Sequence, residues 1–133
     1  MKVLALDYGA ARTGVAVSDP TGTLARPIGV VERVGTEAGL ERLAELIRAE
    51  GADRVVVGLP LTMPGARREQ AAETARFVDT LRGVVDVPVE SFDERFTTDL
   101  AEQDAAHAKA PADARAAAHL LTSYLAWSSG GGE

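Results

Sequence analysis

The chain has 133 residues, of which 46% are hydrophobic and 26% charged, with a formal net charge of −6 at pH 7 and no cysteine. This length and composition are typical of one globular domain, and the absence of cysteine excludes disulfides, thiolate nucleophiles and zinc sites built on Cys ligands. The acidic charge argues against bulk electrostatic attraction to nucleic acid, although it permits a local basic groove.

The first third of the sequence predicts three strands joined by short connections. Residues 2–6 form an apolar run, residues 14–18 alternate small and branched side chains, and residues 24–31 form a third apolar segment. Pro27 marks this third segment as an edge strand or as the site of a bulge. Because parallel neighbours would need a long crossover, the three strands are predicted to be antiparallel.

Helices and strands alternate in the middle of the sequence. Thr36 is suited to cap a helix that ends at Gly51, and residues 55–60 form an apolar run typical of a central strand. A second helix is predicted from about Ala66 to Arg82, ending before a glycine. Its inward-facing side chains are predicted to be Ala71, Ala75, Val78 and Leu81.

The last part of the sequence predicts one more strand, over residues 87–92, and then helix. The segment after Thr98 is rich in alanine, breaks near residue 110 and restarts with Pro111 in a first turn. The predicted order is β-β-β-α-β-α-β-α, an α/β fold with a five-stranded mixed sheet and helices on both faces. We expect one domain over residues 1–127 and a flexible tail over residues 128–133.

No targeting or membrane segment is expected. The N-terminal apolar run becomes acidic at Asp7, too early for a signal peptide, and no apolar run approaches the roughly 20 residues of a membrane span. We therefore expect a cytoplasmic protein.

Acidic residues follow two apolar strands and begin the last helix. Asp7 ends the first strand, Asp93 and Glu94 end the last strand, and Asp113 lies in the first turn of the final helix. Each position has an ordinary structural explanation: a turn, a helix-entry loop and a favourable helix-dipole interaction. As a set, and without Cys or His chemistry beside them, converging carboxylates suit hard divalent cations such as Mg²⁺ or Mn²⁺.

Four arginines lie in or beside the loops at the same strand ends: Arg12, Arg67, Arg68 and Arg95. Solvated surface charge explains each of them alone, and it is the favoured explanation for Arg67 and Arg68. As phosphate contacts, the four would supply the positive groove that the net charge does not.

Other kinds of site fit the sequence poorly. The glycine spacing of residues 7–14 is followed by a strand, whereas a dinucleotide fingerprint opens a helix, and no Gly-Lys-Ser/Thr tripeptide of a P-loop occurs. His107 and His119 are expected on helices as surface or semi-buried residues rather than as metal ligands.

Four segments resemble the YqgF family in order and spacing. They are Asp-x-Gly-x-x-Arg-Thr-Gly within residues 7–19, Gly-Leu-Pro-Leu at 58–61, Asp-Glu-Arg-Phe-Thr-Thr at 93–98 and Asp-x-x-Ala-Ala within 113–125. Members of this family, also called RuvX or Holliday junction resolvases, are regarded as nucleases that mature the ends of pre-16S ribosomal RNA. The resemblance covers about residues 2–125 and implies a ribonuclease-H-like fold.

The resemblance also implies metal-dependent phosphodiester hydrolysis with Mg²⁺ or Mn²⁺, most simply two ions. Asp7 matches the first-strand acid of the family, Glu94 with Asp93 beside it the late-strand acids, and Asp113 the acid of the final helix. The implied substrates are a ribosomal RNA precursor or branched DNA, and the implied partners include the ribosome or the transcription machinery.

Two departures from the family pattern affect substrate contacts. Residues 62–65 read Thr-Met-Pro-Gly where the family often has Asn-Met-Asp-Gly, and Ala11 stands where a basic residue commonly precedes Arg12. The predicted catalytic positions are unaffected.

Two other functions stay open at this stage. A metal-binding module for RNA or ribosome assembly would need no catalysis and would suit an acidic surface. The Asp-x-Gly start also opens the phosphate-binding motif of actin-like and sugar-kinase ATPases, but these hold ATP between two such domains and 133 residues supply one. RNA and DNA, Asp93 and Glu94 as the metal ligand, and monomer and dimer likewise stay open.

Overall fold

The computed structural model describes residues 1–60, 66–98 and 105–129, without the side chains of residues 66, 67 and 129. Within these ranges, strands and helices follow one another in the predicted order, with one turn of 3-10 helix after the last strand. They are β1 (Val3–Asp7), β2 (Arg12–Ser18), β3 (Ala25–Glu32), α1 (Glu37–Glu50), β4 (Arg54–Leu59), α2 (Ala66–Arg82), β5 (Val89–Asp93), the 3-10 helix (Glu94–Phe96) and α3 (Ala112–Ser129). No helix in the same ranges has the length and apolar character that crossing a membrane requires.

The five strands form one mixed sheet in the order β3-β2-β1-β4-β5. β1 pairs antiparallel with β2 and β2 with β3, whereas β4 runs parallel to both β1 and β5. The predicted mixed sheet with three antiparallel first strands is confirmed. Because β1, β4 and β5 are parallel, their carboxyl ends meet at one edge of the sheet, where Asp7, Leu59 and Asp93 are the last residues of the three strands.

Because side chains alternate along each strand, they pack into two separate hydrophobic cores, one on each face of the sheet. On β1, Leu4 and Leu6 pack into a core shared with α1 and α2, whereas Val3 and Ala5 pack into a second core under α3. β4 divides its side chains between the two cores in the same way. Helices therefore cover both faces of the sheet, as predicted.

Two local predictions about turns and edges are confirmed. The side chain of Thr36 accepts a hydrogen bond from the backbone N–H of Gly39, and Gly51 ends α1 in the left-handed region at φ 66°. Pro27 lies on β3, an edge strand, next to an irregularity in its pairing with β2. A residue without an N–H is tolerated there because the ladder is already interrupted.

Several boundaries and one side-chain orientation differ from the prediction. The strand predicted over residues 87–92 is β5, over Val89–Asp93. β3 begins at Ala25, and the preceding Leu24 is 72% exposed. On α2, Ala75 faces solvent and Phe77 is buried instead, since the aromatic ring removes far more apolar surface from water than a methyl group does. α3 continues to Ser129, two residues into the predicted tail. Residues 130–133 of that tail, and residues 99–104 of the helix predicted directly after residue 98, lie outside the described residues.

Candidate functional site

Acidic side chains lie on the face of the sheet that α3 covers, near the carboxyl ends of the parallel strands. Asp7 follows Val3 and Ala5 in the alternation of β1, which puts its side chain on the α3 side. On β5, Phe92 packs under α3, and the same alternation separates Glu94 from Asp93. Glu94 lies on the α3 side with Asp7, at the start of the 3-10 helix.

The half-buried Asp7 is the electrostatic centre of the site. Burial, and after it the negative charges of Glu94 and Asp113, raise the pKa of Asp7 from 3.8 to about 7. The three carboxylates therefore share one electrostatic environment, although they come from β1, the 3-10 helix and α3. The neutral form of Asp7 is therefore favoured far more than in a free aspartate, and a nearby cation would favour the ionised form.

Two glycines make this convergence possible by removing side chains from the same face. A Cβ on Gly14 would lie 1.8 Å from the backbone oxygen of Asp113, so the first turn of α3 can rest directly on β2. A Cβ on Gly58 would lie 3.1 Å from Oε1 of Glu94, in the space that the glutamate side chain uses. Each glycine therefore leaves room for one of the acids: Gly14 for the backbone of Asp113 and Gly58 for the side chain of Glu94.

Asp93 and Glu94, which the sequence could not tell apart, have different surroundings. The carboxylate of Asp93 accepts hydrogen bonds from the backbone N–H of Arg95 at 2.9 Å and from its Nε at 2.8 Å. This arrangement caps the 3-10 helix, and the bonds from Arg95 lower the pKa of Asp93. Glu94 is the one of the pair whose charge acts on Asp7.

The predicted basic residues are distributed unevenly around the carboxylates. The Nε of Arg12 lies 3.2 Å from Oδ2 of Asp113, and Arg95 is held by Asp93. Arg68 is exposed near the start of α2. The side chain of Arg67 lies outside the described residues. Of the three predicted arginines whose side chains the structure describes, two lie beside the acidic residues.

A cavity of about 370 Å³ opens beside the acids and includes a residue that the sequence analysis did not select. It is lined by Asp7, Glu94, Thr97, Ala116, His119 and Leu120. His119 was predicted to be a surface or semi-buried residue, and it is only 8% exposed. A signal existed in the sequence, because His119 is the polar member of an otherwise apolar run, Ala116–Leu121.

A second, smaller cavity of about 200 Å³ lies between the turn after β1 and α2, and Glu94 lines both cavities. In it, the hydroxyl of Tyr8 donates a 2.6 Å hydrogen bond to Oε2 of Glu73, and its ring stacks on Phe77 with centroids 4.6 Å apart. Burial and the bond to Glu73 raise the pKa of Tyr8 to about 12. Tyr8 is thereby fixed next to Asp7, and nothing in the sequence pattern singles out Glu73.

The donor set fits a hard divalent cation in chemistry and in charge. Carboxylate oxygens are the ligands that Mg²⁺ and Mn²⁺ prefer. Burial, and after it the charges of Glu94 and Asp113, disfavour the ionised form of Asp7, and a bound cation would offset both effects. The ligands are not yet in position around an ion: across the described residues, no three Asp, Glu or His side chains are arranged to hold one. Asp113 is instead engaged by Arg12.

Comparison with known sequences gives consistent relationships over the whole domain. A family model described as "RuvX: Holliday junction resolvase" matches residues 1–127. A protein of Chloroflexus aurantiacus is 42% identical over 130 residues, covering 92% of this chain and 85% of that protein. A protein of Roseiflexus sp. is 46% identical over 102 residues (77% and 72%), and one of Pelotomaculum thermopropionicum is 38% identical over 133 residues (94% and 86%). All three are named "Putative pre-16S rRNA nuclease".

Comparison with solved structures confirms the predicted ribonuclease-H-like fold. RuvC of T. thermophilus, solved in complex with a Holliday junction substrate, superposes with a TM-score of 0.71. The superposition covers 98% of this chain and 96% of that chain at 15% sequence identity. Since the identity is low, this similarity establishes the architecture of the chain.

Proposed function

The chain belongs to the RuvX family of Holliday junction resolvases, and from this we propose that it is a divalent-metal-dependent nuclease acting on the precursor of 16S ribosomal RNA. The observation that carries the proposal is the placement of the three acids: Asp7 and Glu94 line one cavity, and Asp113 rests on Gly14, the β2 residue that pairs with Asp7. The charges of Glu94 and Asp113 also raise the pKa of Asp7, after burial. The names of the relatives favour RNA as the substrate. The family description favours branched DNA as a second candidate.

In this proposal the three carboxylates hold Mg²⁺ or Mn²⁺, with two ions favoured over one. Asp7 is central, because both other acids act on its charge and it ends the middle strand of the sheet. Glu94 and Asp113 complete the donor set from the β5 side and from α3. Asp93 serves as the cap of the 3-10 helix rather than as a ligand. When bound, such ions lower the pKa of an attacking water and stabilise charge on the leaving oxygen.

The arginines would hold the phosphates that flank the scissile bond. Arg12 and Arg95 each pair with a carboxylate, and the two arginine side chains are 64% and 56% exposed, whereas their partners Asp113 and Asp93 are 36% and 12% exposed. An exposed ion pair such as Arg12–Asp113 contributes about 1 kcal/mol or less, so a substrate phosphate can compete for the Arg12 guanidinium. The exposed side of the Arg95 guanidinium can bind a phosphate while Asp93 holds the other side. Contacts of this kind position a nucleic acid without reading its sequence. Arg68 and Arg67 would extend the same role along α2.

Two broader expectations from the sequence stay predictions. They are the cytoplasmic location and the contacts with the ribosome or the transcription machinery.

Cleavage assays on a structured precursor RNA and on a four-way DNA junction, with Mn²⁺ or Mg²⁺, test the proposal. We expect the wild-type protein to cleave the RNA, and Asp7→Asn to lose cleavage while keeping most of its RNA binding, because the substitution removes an ion ligand and no phosphate contact. Asp86→Asn removes the same charge at an exposed position and is expected to stay active. Binding of RNA without any cleavage by the wild type would favour the non-catalytic module instead.

A further inference from the structure

Two half-exposed aromatic rings pack against one buried ring at the β5 edge of the molecule. Phe96 is 58% exposed and Trp127 50% exposed, and they are the only aromatic residues among the large hydrophobic side chains exposed in the described part of the chain. Both contact the same buried ring, Phe92, with centroid separations of 6.1 and 6.0 Å. We call Phe96 and Trp127 the aromatic shelf.

The shelf has a rigid floor. Phe92 is 6% exposed and packs edge-on against Tyr124, which is 3% exposed, with centroids 5.6 Å apart. Tyr124 also contacts Trp127 at 6.3 Å. The two exposed rings are therefore held by buried neighbours before any partner arrives, and a preorganised contact surface loses little conformational entropy when it binds.

The shelf adjoins the proposed catalytic site through the chain itself. Phe96 is the last residue of the 3-10 helix that begins with Glu94, and the next residue, Thr97, lines the cavity that contains Asp7. The two backbone steps from Glu94 to Phe96 span at most about 7 Å between their Cα atoms. Arg95 is the residue between them, and its guanidinium carbon lies 5.9 Å from the centre of the Phe96 ring. A nucleotide chain whose phosphate reaches Glu94 would bring a neighbouring base to the shelf.

We propose that the aromatic shelf is a stacking subsite for an unpaired base of the nucleic acid, next to the bond that is cleaved. This inference rests on the proposed function and narrows its substrate class. Every base has a face that stacks on an aromatic ring, whereas the bases inside a duplex are already stacked on each other. Continuity with the carboxylate site and the adjacent positive charge of Arg95 favour a nucleic acid over a protein as the occupant. The preferred substrate is therefore single-stranded at the cleavage point, as at an RNA end.

Intrinsic fluorescence tests the subsite directly, because Trp127 is the only tryptophan of the chain. The wild-type protein is titrated, in buffer with EDTA to prevent cleavage, with a short RNA of mixed sequence that cannot pair with itself, and with the same RNA annealed to its complement. We expect the single strand to quench Trp127 fluorescence and to bind more tightly than the duplex. Equal quenching and affinity for both forms would overturn the proposal.

Substitutions separate stacking from other causes. We expect Phe96→Leu to weaken single-strand binding by about tenfold and to leave duplex binding unchanged. Trp127→Phe, which keeps a ring, should bind better than Trp127→Leu. Leu24→Ala, at a still more exposed apolar residue beside the opposite edge strand, serves as the control and should bind like the wild type. Unchanged single-strand affinity in Phe96→Leu would contradict the stacking role.

Two further results distinguish this inference from neighbouring ones. Selective quenching by the single strand in a protein that cleaves nothing with Mn²⁺ would leave the shelf in place and overturn the proposed nuclease function. A Trp127 fluorescence change that depends on protein concentration without RNA, together with dimers in sedimentation, would show that a second copy of the chain covers the shelf and would overturn the inference.

Discussion

The Nε atom of Arg12 lies 3.2 Å from the Oδ2 atom of Asp113, so a guanidinium predicted to hold phosphate holds a carboxylate predicted to hold a metal ion. Both side chains are partly exposed, at 64% and 36%, which keeps the ion pair weak and exchangeable. The same Asp113 acts on the charge of Asp7. In the free protein Arg12 therefore offsets part of the negative charge that an incoming cation would otherwise neutralise.

Removing Arg12 should make the site more attractive to a cation. In Arg12→Ala we expect Mn²⁺ to bind up to about fivefold more tightly in the absence of nucleic acid, because Asp113 is released and a competing positive charge is lost. Calorimetric titration with Mn²⁺ measures the affinity. Arg48→Ala, at an exposed position in the last turn of α1, is the matched control. An affinity equal to that of the control would show that the ion pair does not restrain the site.

The pKa of Asp7 predicts how the stability of the metal-free protein depends on pH. The carboxyl titrates near 3.8 when unfolded and near 7 when folded, so the folded state binds the proton more tightly. The stability contributed by the neutral carboxyl is fully present below about pH 4 and is lost as the pH rises to about 7.

The Asn side chain of Asp7→Asn is uncharged at every pH, so this variant should not lose stability as the pH rises. We expect it to be more stable than the wild type at pH 8, by roughly 2–4 kcal/mol, and to lose this advantage near pH 4. Denaturant unfolding in EDTA at the two pH values measures the difference. Asp86→Asn should show no such pH dependence, and a constant difference for Asp7→Asn would contradict the raised pKa.

Gly14 should be intolerant of any side chain. A methyl group there would overlap the backbone oxygen of Asp113, so Gly14→Ala must displace the first turn of α3. We expect a loss of about 2 kcal/mol or more in the free energy of unfolding, together with weaker Mn²⁺ binding. Gly35→Ala is the control, because a Cβ at Gly35 meets nothing within 4 Å. Equal stability of the two variants, measured by denaturant unfolding, would argue against the close packing of α3 on β2.

The polar cluster of Tyr124, Glu90 and Arg54, outside the proposed metal site, should affect stability without affecting cleavage. The hydroxyl of Tyr124 donates a short hydrogen bond to Glu90 and accepts one from Arg54 at 3.1 Å, which ties α3 to the amino-terminal ends of β4 and β5. Tyr124→Phe keeps the ring and leaves partly buried charged groups with fewer partners. We expect it to lose about 1–3 kcal/mol of stability. The cleavage rate at a temperature where both proteins are folded should be unchanged, and a large loss of rate would contradict this separation.

Much of the fold follows from patterns that one element shows by itself. The apolar runs of β1 and β4, the cap at Thr36, the glycine at position 51 and the interruption at Pro27 all depend on local chemistry, and all four predictions are confirmed. The outward orientation of Ala75 was missed, because the position of the bulky Phe77 relative to the sheet decides which side of α2 is buried.

The site was less predictable, because its geometry depends on contacts between distant parts of the chain. The four acids could be selected from their positions at strand and helix ends. The pairing of Arg12 with Asp113 joins residues about a hundred positions apart, and His119 enters the cavity only because α3 crosses the sheet there. The different surroundings of Asp93 and Glu94 follow from strand alternation, a rule that the sequence already contained but that needed Phe92 to be assigned to one face.

The most direct test of the central claim compares these two neighbouring acids in one cleavage assay. The claim is that Glu94, with Asp7 and Asp113, holds the ions, whereas Asp93 caps the 3-10 helix. At saturating Mn²⁺ and at a temperature where both variants are folded, we expect Glu94→Gln to cleave precursor RNA at least about a hundredfold more slowly than the wild type. Asp93→Asn should stay within severalfold of the wild-type rate and lose only about 1 kcal/mol of stability. Full activity in Glu94→Gln, or an equal loss in both variants, would contradict the assignment.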